Sequence, residues 1–172
     1  VNLLLDPGLA FGTGTHPSTA MCLKTLANED LAGQHLVDYG CGSGILGIAA
    51  MKLGAKTLLA VDNDPQALTA THDNAVRNDV TLASLTLASP ETEAPYLTEA
   101  CADTLVANIL AEPLMQLAPK LIDALKPGGL LILAGLIEAQ VDAVTSSYRH
   151  AVELKVAAQT DEWGCLSGRK RD

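Results

Sequence analysis

Short apolar runs alternate with segments of helical periodicity along most of this chain. Apolar residues that recur every three or four positions predict helices at residues 17–28, 45–53, 65–78, 113–125 and 138–150. Apolar runs of buried-strand length predict one strand that ends near residue 38 and others at residues 57–62, 81–87, 103–110 and 130–133. Strands that alternate with helices indicate an α/β domain, and right-handed crossovers make its sheet parallel.

The last part of the chain departs from this alternation. Residues 126–129 predict a turn into the fifth strand, and a final helix follows that strand. Two short segments, 152–156 and 165–168, then flank the sequence Asp161-Glu-Trp-Gly164, which predicts an antiparallel hairpin at the edge of the sheet. The expected architecture is a mostly parallel, seven-stranded, Rossmann-like sheet with an antiparallel edge hairpin.

The turn between the first strand and the next helix carries the candidate chemistry. Glycines alternate along Asp38-x-Gly40-x-Gly42-x-Gly44, so no Cβ atom keeps a ligand away from the backbone there. The helix that follows is expected to aim free N–H groups and a partial positive charge at the same place. A nucleotide-like cofactor is therefore predicted at this turn.

Two cofactors fit this turn, and a structural turn that binds no ligand is the remaining alternative. Gly42-x-Gly44-x-x-Gly47, with Asp62 twenty residues further on, matches the fingerprint of dinucleotide-binding proteins. The carboxylate of Asp38 favours S-adenosylmethionine, because it could pair with the methionine ammonium but would repel a pyrophosphate. The edge hairpin favours the same cofactor, since dinucleotide folds more often end in another parallel strand.

Further polar residues are predicted to complete the site. Asp62 ends the second strand, where a carboxylate accepts hydrogen bonds from the cofactor ribose, whereas Asp64 precedes a proline and suits a helix N-cap. The glycine-rich residues 11–17 predict a loop, which we interpret as a cofactor lid that delivers Thr15, Thr19 and His16. The alternatives are that Thr15 caps the following helix and that His16 is an ordinary surface histidine.

Asn108, at the end of the fourth strand, is the candidate catalytic residue. In a doubly wound sheet the first and fourth strands are neighbours, so Asn108 should face the glycine turn across the crevice between them. Methyl transfer to an amine needs an in-line lone pair, and a neutral amide oxygen can accept one N–H while leaving that lone pair free. The alternative is that Asn108 merely caps the following helix or ties a turn.

Composition narrows the class of protein. The chain has 172 residues, a net charge of −9 and no apolar run long enough to span a membrane, which predicts one acidic, soluble domain with a basic macromolecule rather than nucleic acid as its partner. The four cysteines form no C-x-x-C pair, which argues against zinc, iron–sulfur clusters and a disulfide framework. The start at Val1, without methionine and with a sequence typical of the middle of an element, predicts that an N-terminal part is missing.

Several motifs together support a family resemblance. Asp6-Pro-Gly-Leu-Ala-Phe-Gly-Thr-Gly-Thr-His-Pro-Ser-Thr19, Asp38-Tyr-Gly-Cys-Gly-Ser-Gly-Ile-Leu46, Val61-Asp-Asn-Asp-Pro65 and Ala107-Asn-Ile-Leu-Ala111 closely resemble the PrmA family, bacterial methyltransferases of ribosomal protein eleven of the large subunit. The resemblance runs the length of the chain. Ser18 and Glu112 depart from the threonine and glycine of the family pattern.

The resemblance implies a class I methyltransferase fold and a C-terminal catalytic domain at residues 31–172, preceded at residues 1–30 by a cofactor-lid loop and helix that lead from an N-terminal recognition domain. It implies methyl transfer from S-adenosylmethionine to lysine side chains and the α-amino group of that ribosomal protein, in the cytoplasm. By the same resemblance the cofactor-binding positions are Thr19, Gly40, Asp62 and Asn108, with Phe11, Gly14 and Ile45 beside them; the glycine turn adds Asp38 and Gly42.

Three alternatives stay open at this stage. A base or glutamine methyltransferase often carries two prolines and an aromatic residue after the Asn, whereas Ile109 and Leu110 stand here, which favours an sp³ amine as acceptor. An NAD-dependent oxidoreductase is the second alternative and a non-catalytic cofactor-binding module the third. We expect a monomer without metal.

Overall fold

Seven strands form one sheet in the computed structural model, which describes residues 2–4 and 16–172. The strand order is β3-β2-β1-β4-β5-β7-β6, and β7 runs antiparallel to both of its neighbours. The strands are β1 (His35–Tyr39), β2 (Thr57–Val61), β3 (Leu85–Ala88), β4 (Ala102–Asn108), β5 (Leu125–Ile137), β6 (Lys155–Thr160) and β7 (Trp163–Arg169). The predicted parallel sheet with an antiparallel edge hairpin is confirmed.

Six α-helices connect and cover these strands in the described part of the chain. They are α1 (Pro17–Ala27), α2 (Ile45–Lys52), α3 (Pro65–Arg77), α4 (Ala111–Gln116), α5 (Ala118–Ala124) and α6 (Val141–Tyr148). Short 3₁₀ turns at Leu82–Ser84 and Glu138–Gln140 precede β3 and α6. None of the helices among the described residues has the length and apolar character needed to cross a bilayer.

The sheet separates two hydrophobic cores. On one face, α4, α5 and α6 bury Leu114, Leu121 and Tyr148 against the inward side chains of β4 and β5. On the other face, α1 and α2 bury residues such as Leu26 and Leu46 against the alternate side chains of β1, β4 and β5. Because successive residues of a strand point to opposite faces, these fully buried strands are apolar almost throughout.

Local structure differs from the prediction in several places. β6 begins at Lys155, three residues later than the predicted segment 152–156, and a 3₁₀ turn replaces the first residues of the predicted helix 138–150. The expected helix at 113–125 is interrupted between α4 and α5, because Pro119 has no N–H and cannot continue the hydrogen-bond ladder. Residues 126–129, expected as a turn, lie within β5 at a register shift between the Ala102–Leu125 and Thr104–Leu130 pairs. Another 3₁₀ turn replaces the first residues of the predicted third strand, and Trp163 begins β7 instead of lying in the hairpin turn.

Candidate active site

The turn from β1 into α2 is packed tightly against β2 and the exit of β4. The N–H groups of Gly40 and Cys41 both donate to the carbonyl of Val61, at 2.7 and 3.0 Å. Gly40 has a φ of +83°, and a Cβ at this position would collide with the side chain of Ile109. Only glycine fits here, because it tolerates this φ and leaves room for the neighbouring strand exit.

The carboxylate of Asp38 lies behind this turn, where it is 1% exposed. Its Oδ2 accepts a hydrogen bond from the N–H of Gly47 in α2 at 3.0 Å. Burial raises the pKa of Asp38 to about 7; the Gly47 hydrogen bond opposes that rise and the charge of Asp62 adds to it. Asp38 is not among the described residues that line the cavity described below, so its predicted pairing with a ligand ammonium stays a prediction.

The amides of the turn are bound by protein acceptors and are not presented to a ligand as expected. Gly42 N–H donates to Asp62 Oδ2 at 2.9 Å, and Gly44 N–H to the carbonyl of Cys41 at 2.8 Å. At the start of α2, Ile45 N–H meets Ser43 Oγ at 3.3 Å. A pyrophosphate would have to displace these acceptors beside two carboxylates, whereas a cationic or zwitterionic ligand needs no such change.

Asp62 lies directly after β2 and is half-buried. Its Oδ2 accepts from Gly42 and its Oδ1 accepts from the N–H of Asp64 at 2.9 Å, so each oxygen keeps a second lone pair for a hydroxyl group. Asp64 caps α3 through a 2.9 Å bond from Gln66 N–H, as the sequence predicts. Asp62 is thus fixed at the carboxyl end of β2, although it does not line the cavity itself.

A cavity of about 410 Å³ opens at the carboxyl ends of β1 and β4. It brings together the predicted Thr19, Gly40, Gly42, Ile45 and Asn108. The other described lining residues are His16, Ser18, Cys41, Leu46, Ile109, Leu110, Gly135 and Trp163. Among the residues that the structure describes, none that lines this cavity is Asp, Glu, Lys or Arg.

The side chain of Asn108 is oriented by α1. Its Nδ2 donates to Oγ1 of the buried Thr19 at 3.3 Å, which leaves the amide oxygen to accept an N–H. The alternative in which Asn108 caps the following helix is wrong, because α4 has Leu110 at its N-cap without a side-chain hydrogen bond. The two residues join α1 and β4 at the wall of the cavity.

His16 caps α1. Its Nδ1 accepts from the N–H of Ser18 at 3.2 Å and lies 2.6 Å from Ser18 Oγ, so that His16, not Thr15, occupies the N-cap. The imidazole packs edge-on against Trp163, with ring centroids 4.6 Å apart and an interplanar angle of 73°. His16 is exposed yet lines the cavity, so it is more than an isolated surface histidine.

With the geometry established, comparison with known proteins gives the family. The family profile described as ribosomal protein L11 methyltransferase (PrmA) matches residues 1–171. The chain belongs to the PrmA family. The resemblance carried by the loop, turn and Asn108 motifs is therefore confirmed, and the dehydrogenase alternative is not supported.

Curated relatives and solved structures agree with PrmA membership. The chain is 50% identical to a ribosomal protein L11 methyltransferase of Saccharophagus degradans and 51% identical to one of Vibrio cholerae, over 99% of this chain in each case. It covers 57% and 56% of those proteins, so it spans little more than half of their length. The position of this segment within such a protein, expected to be C-terminal, stays a prediction.

The solved structures fix the class of fold. A ribosomal protein L11 methylase of Lactobacillus delbrueckii subsp. bulgaricus superposes with a TM-score of 0.83 at 32% identity, covering 98% of this chain and 84% of that one. A methyltransferase of Pyrococcus furiosus gives a TM-score of 0.75 at 18% identity, covering 99% and 89%, which shows the fold alone. The class I methyltransferase fold is confirmed, and the PrmA family and this fold imply S-adenosylmethionine as cofactor.

The cavity fits that cofactor. Its volume lies within the range of about 300–1,000 Å³ typical of small-molecule sites, and Gly40 and Gly42 present backbone without a Cβ to it. Ile45 and Leu46 supply apolar surface, and no described lining side chain carries a charge that would repel a sulfonium. Two predicted members of the site, Phe11 and Gly14, lie outside the described residues.

Sequence reasoning missed Trp163 and Gly135 as lining residues. Gly135 has a φ of +89° at a register shift in β5, and a Cβ there would collide with the backbone carbonyl of Ile109. Its signal in the sequence is a glycine within an apolar strand, which often marks a bulge or a close backbone approach. Trp163 gave no comparable signal, because its place depended on where the hairpin turns.

Proposed function

We propose that this chain is the catalytic part of a protein methyltransferase. It transfers methyl groups from S-adenosylmethionine to lysine side-chain and α-amino nitrogens of ribosomal protein L11. The observation that carries the proposal is the Asn108–Thr19 pair at the wall of the cavity, in a chain of the PrmA family. The relatives' names supply the substrate, and the net charge of −9 suits a basic partner in the cytoplasm.

The residues that would hold the cofactor are those of the glycine turn and its neighbours. Gly40 and Gly42 offer close backbone contact, Thr19 and Ile45 line the same cavity, and Asp62 accepts hydrogen bonds from ribose hydroxyls. When bound, S-adenosylmethionine supplies an electrophilic methyl carbon. The lid assigned to residues 1–30, with Phe11 and Gly14, and the methyltransferase domain assigned to residues 31–172 belong to the same proposal.

The acceptor amine must be neutral, and its lone pair must lie in line with the methyl carbon. A lysine with an ordinary pKa of about 10.4 loses its proton at a cost of about 4.6 kcal/mol at pH 7, and a carboxylate beside it would add to that cost. Asn108 avoids this added cost, because its neutral amide oxygen accepts one N–H and stabilises the ammonium less than a carboxylate would. The hydrogen bond to Thr19 orients the amide so that its oxygen, not its nitrogen, is directed at the acceptor amine.

Mass spectrometry of purified ribosomal protein L11 tests the function. After incubation with the full-length enzyme and S-adenosylmethionine, we expect methyl additions confined to lysine side chains and the α-amino group. The same protein incubated without S-adenosylmethionine is the control. Methylation of glutamine instead, or an unmodified ribosomal protein, would contradict the proposal.

A further inference from the structure

Trp163 occupies the side of the cavity that the cofactor turn does not reach. The lining follows the carboxyl edge of the sheet from Gly40 after β1, through Asn108 on β4 and Gly135 on β5, to Trp163 on β7. Asp62, the proposed ribose partner, lies on the opposite side of β1, after β2. If the cofactor lies across β1 and β2, as the proposed function requires, the acceptor approaches over β5 and β7.

Two neighbouring strands fix the backbone of Trp163, and His16 packs against its indole ring. Trp163 is the first residue of β7 and pairs with Ile137 of β5 and Thr160 of β6. Its ring makes a T-shaped contact with the ring of His16, which is itself fixed by its hydrogen bond with Ser18. Trp163 is half-buried, so one part packs on the protein and another part borders the cavity.

An acceptor amine in this cavity would find its partners among described residues that carry no formal negative charge. No described lining residue is a carboxylate, so an amine in this cavity meets an amide oxygen and an aromatic ring instead. An aromatic face attracts a cation through its quadrupole, and indole does so best. This attraction does not depend on N–H groups, unlike the hydrogen bond to Asn108.

We propose that Trp163 forms the acceptor wall of this cavity and stabilises the positive charge that develops on the acceptor nitrogen, which favours lysines that already carry methyl groups. The inference rests on the proposed function and adds a specificity-determining residue to it. Asn108 then contributes more to the first methylation step, and Trp163 contributes more to the later steps.

The electron balance explains this division. The amine lone pair forms the new N–C bond, the C–S bond breaks, and its electron pair stays on sulfur as a neutral thioether. The positive charge thereby passes to nitrogen, which releases a proton to water before another methyl can be added. Each round removes one N–H, so the Asn108 oxygen has fewer hydrogen bonds to accept. A methylated ammonium is also more weakly hydrated, so it gains more from the aromatic ring of Trp163 than an unmethylated one does.

Kinetics with Nα-acetyl-lysine amide and its mono- and dimethyl forms test the assignment. We expect Trp163→Leu to lower kcat/KM for the dimethyl acceptor by about tenfold and for the unmethylated acceptor by about twofold, and Trp163→Phe to stay within about twofold for both. Tyr96→Leu is the matched control, since Tyr96 is 52% exposed and lies outside this cavity. An equal loss for every acceptor in Trp163→Leu, or no loss, would overturn the proposal.

Binding provides a second readout that needs no turnover. Trp163 is the chain's single tryptophan, so its fluorescence reports this wall alone. With S-adenosylhomocysteine present, we expect Nα-acetyl-trimethyl-lysine amide to change the emission and its uncharged tert-butyl isostere to leave it unchanged. An identical response to both compounds, or none to the cation, refutes the role of Trp163. A wild-type protein that responds in this way yet methylates nothing would refute the proposed function instead.

Discussion

In the proposed mechanism, the hydrogen bond between Asn108 and Thr19 determines which atom of the amide faces the acceptor amine. Because Nδ2 donates to Thr19 Oγ1, the amide oxygen of Asn108 is left at the cavity wall to accept a hydrogen bond. An aspartate of the same shape would accept the same N–H but would stabilise the ammonium form of the acceptor. The choice of an amide over a carboxylate is therefore chemical and not only steric.

Replacing Asn108 should separate catalysis from cofactor binding. We expect Asn108→Ala to lower kcat about 100-fold, as the loss of a preorganised polar group does in other active sites, while the Kd for S-adenosylhomocysteine changes less than about tenfold. Thr19→Val keeps the size of the side chain and removes only the bond that orients the amide, so its kcat should fall about tenfold. Turnover of Asn108→Ala at the wild-type rate would remove Asn108 from the mechanism.

The buried carboxylate of Asp38 predicts a pH dependence of stability. Its pKa is about 7 in the folded protein and 3.8 in the reference state, so the folded state holds the proton more tightly. The contribution of Asp38 to stability is therefore fully present below about pH 4 and is lost as pH rises through about 7. The full shift corresponds to about 4 kcal/mol.

Asp38→Asn tests this sign, because asparagine can still accept the hydrogen bond from Gly47 but carries no charge. The variant should be more stable than the wild type at pH 8, and its Tm should vary less between pH 5 and pH 8. Thermal unfolding followed by circular dichroism at several pH values measures both quantities. A lower Tm than wild type at pH 8 would mean that Asp38 stabilises the turn through its charge.

Among the elements, the exit of β4 and the bulge of β5 fix the shape of the cavity. Gly135 adopts a φ of +89° directly against the backbone of Ile109, which also lines the cavity. A backbone carbonyl cannot move aside as a flexible side chain can. This contact therefore sets how closely β5 approaches the residues that follow Asn108.

Gly135→Ala should destabilise the protein and distort the cavity together. We expect the free energy of unfolding to fall by about 2–4 kcal/mol, because a strained φ adds to a backbone collision. Gly33→Ala is the matched control: its φ is +72° and a Cβ there meets nothing within 4 Å, so only the strain of about 1 kcal/mol should appear. Urea denaturation gives both values, and equal losses would show that the collision with Ile109 is relieved at no cost.

Local sequence patterns predicted the elements correctly where a short stretch of sequence determines the structure. The apolar runs located β1, β2 and β4, and the Asp64-Pro65 pair gave the N-cap of α3 correctly. The same patterns failed where contacts between residues far apart in sequence determine the structure. The capture of the Asp38 carboxylate by Gly47 and the position of Trp163 at the start of β7 depend on how separate elements pack, which periodicity does not contain.

At the scale of the whole molecule, the carboxyl edge of the sheet assembles the site from separate parts of the chain. Thr19 on α1, Gly40 after β1, Asn108 on β4 and Trp163 on β7 lie far apart in sequence and line one cavity. The doubly wound order predicted that Gly40 and Asn108 would meet, since β1 and β4 are adjacent. The loop, turn and Asn108 motifs predicted PrmA membership, although the chain spans only 57% of a relative such as that of Saccharophagus degradans.

Calorimetric titration of the chain with S-adenosylhomocysteine, and separately with NAD, tests the central claim most directly. The internally bound amides of the glycine turn and the carboxylates beside it favour a thioether with an ammonium group over a pyrophosphate. We therefore predict binding of S-adenosylhomocysteine in the micromolar range or tighter, with no measurable heat from NAD. Tighter binding of NAD, or heat from neither ligand, would contradict this account.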